Sequence, residues 1–78
     1  NDHIQENDYI IVKDTTNVNN GDLVIAYIND EATLKRYYKN KNKIELHPAN
    51  LNYDIIHIQP EDNFRIGGKV LSVIRKYN

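Results

Sequence analysis

The sequence predicts an all-β domain of about six strands. Three observations lead there. Short runs rich in Ile, Val, Tyr and Thr recur along the whole chain. Clusters of Asn, Asp, Gly and Pro separate them, as turns require. No window shows an apolar stripe of helical period and useful length.

Taken in order, residues 1–7 are polar, with Ile4 as their only apolar side chain. Asp8 to Lys13 (DYIIVK) reads as the first strand. Asp14 to Asn20 holds two Thr and three Asn and reads as a loop. Asn20-Gly21-Asp22 then turns the chain into a central hairpin. Its strands are Leu23 to Ile28 and Glu31 to Tyr38, and Asn29-Asp30 is the tight link, since both residue types tolerate positive φ. Lys39 to Lys43 (KNKNK) is expected as a solvated loop. Lys43 to His47 is a short strand that buries Ile44 and Leu46. Pro48 to Asn52 is a turn-rich connection, Asp54 to Ile58 a strand, and Gln59 to Asn63 a turn around Pro60. Phe64 to Tyr77 is a long strand, expected to bend at Gly67-Gly68. There is no internal repeat and no interdomain linker.

Length and composition narrow the function classes. Seventy-eight residues make one small domain. A chain of this size buries only about 60% of its unfolded surface, so its core is marginal unless a partner adds to it. The net charge of -1 leaves no basic footprint, which argues against nucleic-acid binding by this segment itself. Without cysteine there is neither a disulfide framework nor a thiolate metal site. No apolar run approaches the roughly 20 residues of a membrane helix, and no signal peptide opens the chain. A cytoplasmic bacterial setting without membrane contact is the expectation.

Lys35 is the residue to which chemistry is assigned. In Glu31 to Tyr38, Glu31, Thr33, Lys35 and Tyr37 share one face, while Ala32, Leu34, Arg36 and Tyr38 share the other. Lys35 is therefore expected to face a protected site and Arg36 to face water. A lysine held on a rigid strand and desolvated by apolar neighbours is the usual route from an amine to a general base.

The same stretch resembles a known family. Gly21-Asp22, an apolar strand, a short acidic turn and then Thr33-Leu34-Lys35-Arg36 are similar to the C-terminal domain of the LexA family of self-cleaving repressors. That family includes phage repressors and UmuD proteins. The likeness continues through IELHPAN at Ile44 to Asn50, YDIIHI at Tyr53 to Ile58 and FRIGGKVLSVIR at Phe64 to Arg75, in order and over nearly the whole chain. The resemblance implies a bent, β-clip-like sheet, with residues 1–78 forming the C-terminal portion of a peptidase and dimerisation domain. It implies a serine peptidase with a Ser/Lys dyad that works by autoproteolysis, with Lys35 as general base, no cofactor and no metal. It further implies a homodimer, a role in the SOS response through the RecA filament, and operator DNA bound only through a separate N-terminal domain.

In that family the nucleophilic serine sits about ten residues before an acidic residue that matches Asp8. Counting back places it about three residues before Asn1, so the chain is expected to start just after the serine motif and to be inactive alone. The only serine present is Ser72, which reads as a small residue permitting close packing in the last strand. His3, His47 and His57 lack the spacing of a metal site and read as polar surface positions. Asp8, Asp14, Asp22 and Asp30 fall at turns and strand ends, where Asp serves local hydrogen bonds. The six tyrosines lack basic interleaving and read as core and sheet-face packing.

Three functions follow: the C-terminal piece of a self-cleaving repressor, a non-catalytic dimerisation domain of a phage-type repressor or a UmuD-like protein, and a small β-barrel binding module. The first is the reading adopted. Val70 to Tyr77 (VLSVIRKY) is the expected dimer strand, because a long β-branched strand at a sheet edge invites pairing with a second chain.

Overall fold

The computed structural model describes residues 8–48 and 54–75. They form one antiparallel sheet of six strands: β1 (Asp8–Lys13), β2 (Leu23–Ile28), β3 (Glu31–Asn40), β4 (Lys43–His47), β5 (Ile56–His57) and β6 (Phe64–Arg75). The order is β1-β6-β2-β3-β4-β5. No helix occurs among the described residues. The sheet stays open, with β1 and β5 as its edges, so it is not a closed barrel.

The β2–β3 hairpin forms as the alternation requires. Asn29 and Asp30 both take positive φ (50° and 70°), the geometry of a two-residue turn matched to strand twist. The hairpin start is a bulge. Gly21, at φ 91°, donates its N–H to the Tyr37 carbonyl (2.8 Å), and Tyr37 donates back to the Asp22 carbonyl (2.9 Å). The Asn20 side chain then continues the ladder by pairing with both backbone groups of Lys39 (2.7 and 3.1 Å).

Lys39 to Lys43 is not the open loop expected from its composition. β3 runs on to Asn40, only Lys41 and Asn42 make the turn, and Lys41 takes φ 57°. Asn40↔Lys43 and Lys39↔Ile44 pair across the tip. The lysines solvate a hairpin end; they do not break it. The strand expected over Asp54 to Ile58 shrinks to Ile56–His57, because β4 offers only Glu45 and Leu46 as register partners before Pro48 follows. The expected end of the last strand, at residues 76–77, lies outside the described residues.

β6 is the strand that bends. Its register against β2 skips between Gly68 and Ile66, leaving Gly67 as an extra residue. A Cβ on Gly67 would come within 2.4 Å of the Tyr27 ring, and one on Gly68 within 2.4 Å of Val12 and 3.0 Å of the Lys13 carbonyl. A second skip, against β1, isolates Leu71. Residues 64–68 pair with β2 alone, Lys69 pairs with both β2 and β1, and the β2 ladder ends there. Beyond Lys69, β6 has β1 on one side and no described strand on the other. Each half of β6 is thus paired on one side, and the open side expected from Val70 onward is present over residues 70–75.

The core lies on one face. Val24, Ala26 and Leu46 are fully buried, with Val18, Ile28, Tyr37, Ile44, Ile56, Ile58, Phe64 and Ile66 packed around them. By contrast, Tyr9, Ile11, Leu71 and Ile74 of the β1–β6 ribbon are exposed by 57, 46, 57 and 47%.

Candidate functional site

Lys35 sits on the core-bearing face of β3, directly opposite the fully buried Val24 of β2. On its other side Val24 is opposite Lys69 of β6. Two lysines therefore flank one buried valine across three strands, their Cα atoms about 10 Å apart by strand spacing. Thr33 lies opposite Ala26 and Tyr37 opposite Leu46, so the floor around Lys35 is apolar on three neighbouring strands. Lys35 itself is half-buried. β2 pairs β3 over residues 31–36 and β4 pairs it over residues 36–40, so Lys35 is held by the β2 ladder one residue before the β4 ladder begins.

Asp22 organises the other lysine. Its Oδ2 accepts the Asn19 N–H at 2.8 Å and lies 3.5 Å from Lys69 Nζ. The Asn19 hydrogen bond is the largest cause holding the Asp22 carboxyl below its ordinary value. Burial opposes it, and the charges of Lys69 and Arg36 add to it. The turn role expected of Asp22 is present; its ion pair with Lys69 is an addition that sequence reasoning missed. Forty-seven residues separate the two, so no local spacing signals it.

Arg36 departs from expectation. It points to the opposite face from Lys35, yet it is half-buried and does not simply face water. Its Nη1 donates to the Gly21 carbonyl at 2.9 Å, tying β3 to the bulge. Ser72 also departs from expectation. It is exposed, not closely packed within the strand as expected. It lies three residues along β6 from Lys69, hence roughly 14 Å from Lys35 by strand geometry, far beyond hydrogen-bonding reach. Lys35 and Ser72 do not form a dyad.

The histidines are less scattered than the sequence suggests. His47 and His57 meet at Glu45 on the face away from Lys35, and no metal-holding group of side chains occurs among the described residues. His3 and the side chain of Asp8 lie outside the described residues. Of the tyrosines, Tyr37 packs on the core, Tyr27 carries Arg65 over its ring at 4.0 Å, Tyr38 lies tilted against His47, and Tyr9 is exposed. No helix among the described residues is long and apolar enough to cross a membrane.

Comparison with known proteins agrees with this architecture. The chain is 53% identical over 73 residues to the LexA repressor of Acetivibrio thermocellus, covering 94% of this chain and 33% of that protein. It is 42% identical over 76 residues to the LexA repressor of Syntrophotalea carbinolica, covering 97% and 38%. Against the LexA repressor of Desulfatibacillum aliphaticivorans the identity is 41% over 76 residues, covering 95% and 37%. The chain thus spans about a third of the length of the curated relatives it matches. Residues 1–71 match the Peptidase S24-like model, and with an all-β sheet of described residues, the chain belongs to the Peptidase S24-like family.

Proposed function

We propose that this chain is the base-bearing part of a self-cleaving Ser/Lys peptidase domain in a LexA-like repressor, and that it also supplies the dimer contact. The observation that carries the reading is the placement of Lys35 on the strand between β2 and β4, opposite the fully buried Val24. The nucleophile in this reading is a serine preceding Asn1 in the parent protein.

The steps balance without a cofactor. Neutral Lys35 takes the proton from the serine hydroxyl as Oγ attacks the scissile carbonyl. The tetrahedral intermediate collapses with cleavage of the C–N bond, and the Lys35 ammonium protonates the departing amine. Water, deprotonated by the same lysine, then hydrolyses the ester and restores the serine.

The open side of residues 70–75 and the exposed Leu71 and Ile74 support a symmetric contact between two copies. Cytoplasmic location, induction by the RecA filament and operator binding through an N-terminal domain come with the family reading and belong to the whole protein. The second reading, a non-catalytic dimerisation domain, keeps the same contact and lacks the serine.

The test is self-cleavage of the parent protein. Lys35→Ala abolishes it, and Lys35→Arg does nearly as badly because arginine stays protonated. The wild-type rate rises with pH. A rate flat from pH 6 to 10, or cleavage surviving Lys35→Ala, overturns the assignment.

A further inference from the structure

On the face away from Lys35, one carboxylate is held between two imidazoles. Glu45 Oε1 lies 2.9 Å from His47 Nε2, and Oε2 lies 3.6 Å from His57 Nδ1. His57 is the register partner of Glu45 across the β4–β5 pairing, and His47 follows two residues on in β4. Tyr38, opposite Glu45 on β3, lies tilted against the His47 ring, with centroids 4.3 Å apart and the planes at 51°. The strand they touch is the weakest in the sheet. β5 has two residues, pairs only through Glu45↔His57 and Leu46↔Ile56, and gains one further backbone bond, from Ile58 N–H to the Ile44 carbonyl at 3.0 Å.

We propose that Glu45, His47 and His57 form a proton-operated clasp that tightens edge strand β5 onto β4 when the imidazoles are protonated. A neutral imidazole offers one N–H, whereas an imidazolium donates from both nitrogens and adds a charge. Each oxygen of Glu45 already faces a different ring, so both imidazoliums can be served at once. One of these contacts joins β4 to β5; the other, braced by Tyr38, fixes the carboxylate from within β4.

The surrounding charges set the limits of the device. Arg36 is the register partner of His47 and disfavours extra positive charge there, but its Nη1 is directed to the Gly21 carbonyl. Lys43 precedes Glu45 by two residues on the same face. Tyr38 faces the pair from β3 with its ring against His47. Gln59 Nε2 donates to the His57 carbonyl at 3.3 Å and carries no charge. Glu45 thus answers several cations, and the side chains are partly exposed, which keeps the effect small: about two- to fivefold in the opening equilibrium of β5. Imidazole changes charge between about pH 5 and 8. The clasp is closed when the rings carry the extra proton and relaxes when they lose it.

Amide hydrogen exchange followed by NMR on this chain at pH 5.5 and 7.5, with rates divided by the intrinsic exchange rates, tests it. The expected result is protection of the Ile58 N–H about two- to fivefold higher at pH 5.5. The Tyr37 N–H, bonded to Asp22, and the Asn29 N–H, bonded to Asn63, serve as controls with no such ratio. Glu45→Gln removes the pH dependence at Ile58, and so does His57→Gln, whose exposed position makes it the safer variant for folding. Equal ratios at Ile58 and at the controls overturn the proposal, as does a pH dependence at Ile58 that survives either substitution. The outcome is independent of peptidase activity.

Discussion

Val24 and Lys35 stand directly opposite one another across β2 and β3, the valine fully buried and the lysine half-buried beside it. A lysine at this position is kept in place by the sheet that buries its neighbour. The same pairing that stabilises the hairpin therefore determines where the amine can act, and it leaves the nearest serine of the chain on a distant part of β6.

The isolated chain is expected to lack peptidase activity. Incubation at alkaline pH with a LexA-type substrate leaves it intact, because Lys35 and Ser72 lie too far apart to share a proton. Cleavage above that of a Lys35→Ala control would return Ser72 to consideration.

Leu46→Ala is expected to destabilise the fold by about 2–5 kcal/mol, the range for deleting a large buried aliphatic side chain. Leu46 is fully buried and joins β3, β4 and β5. In a domain this small such a loss is a large fraction of total stability. Urea unfolding measures it; a change under about 1 kcal/mol would mean that Leu46 is not central to the core.

Gly68→Ala is expected to cost more than Gly67→Ala. A new Cβ on Gly68 meets the Val12 side chain and the Lys13 carbonyl, and a backbone oxygen cannot move without shifting β1. At Gly67 the obstacle is chiefly the Tyr27 ring, which can rotate at the loss of its Arg65 contact. Overpacking of this kind typically costs about 1–3 kcal/mol. Equal midpoints for the two variants in thermal unfolding would contradict the ranking.

Acid is expected to weaken the fold through Asp22 and Asp62. The Asp62 carboxyl is held below its ordinary value first by the Gln59 N–H and then by the Asn29 side chain. Both carboxyls are depressed in the folded state. Their contribution is therefore fully present above the ordinary value near 3.8 and is lost as pH falls through the lower folded values. Unfolding between pH 7 and 2.5 should show a fall confined to the acid end, shallower in Asp62→Asn and in Asp22→Asn. Variant curves parallel to wild type would remove these groups from the account.

Self-association is expected to depend on the second half of β6. Val73→Asp and Ile74→Asp should each weaken it, measured by sedimentation across a concentration series. A stable contact would bury upwards of about 1,000 Å2. A monomer at every concentration, or a dimer indifferent to both substitutions, would place the interface elsewhere.

The sequence by itself determined the strand content, the Asn29-Asp30 turn and the side of β3 on which Lys35 lies. Each depends on local backbone preference and on a two-residue period, which are written in neighbouring residues. It also carried the family, through Thr33-Leu34-Lys35-Arg36 and the FRIGGKVLSVIR segment. Only the tertiary structure decided what the register of distant strands decides. That register sets Lys69 on the far side of Val24, turns Asp22 towards it, gathers His47 and His57 at Glu45, and hands β6 from β2 to β1 at Lys69. Apart from Glu45 and His47, which neighbour each other on β4, these pairs are separated by more than ten residues. A one-residue change of register would send every one of them to the opposite face, and nothing in the local sequence specifies that choice.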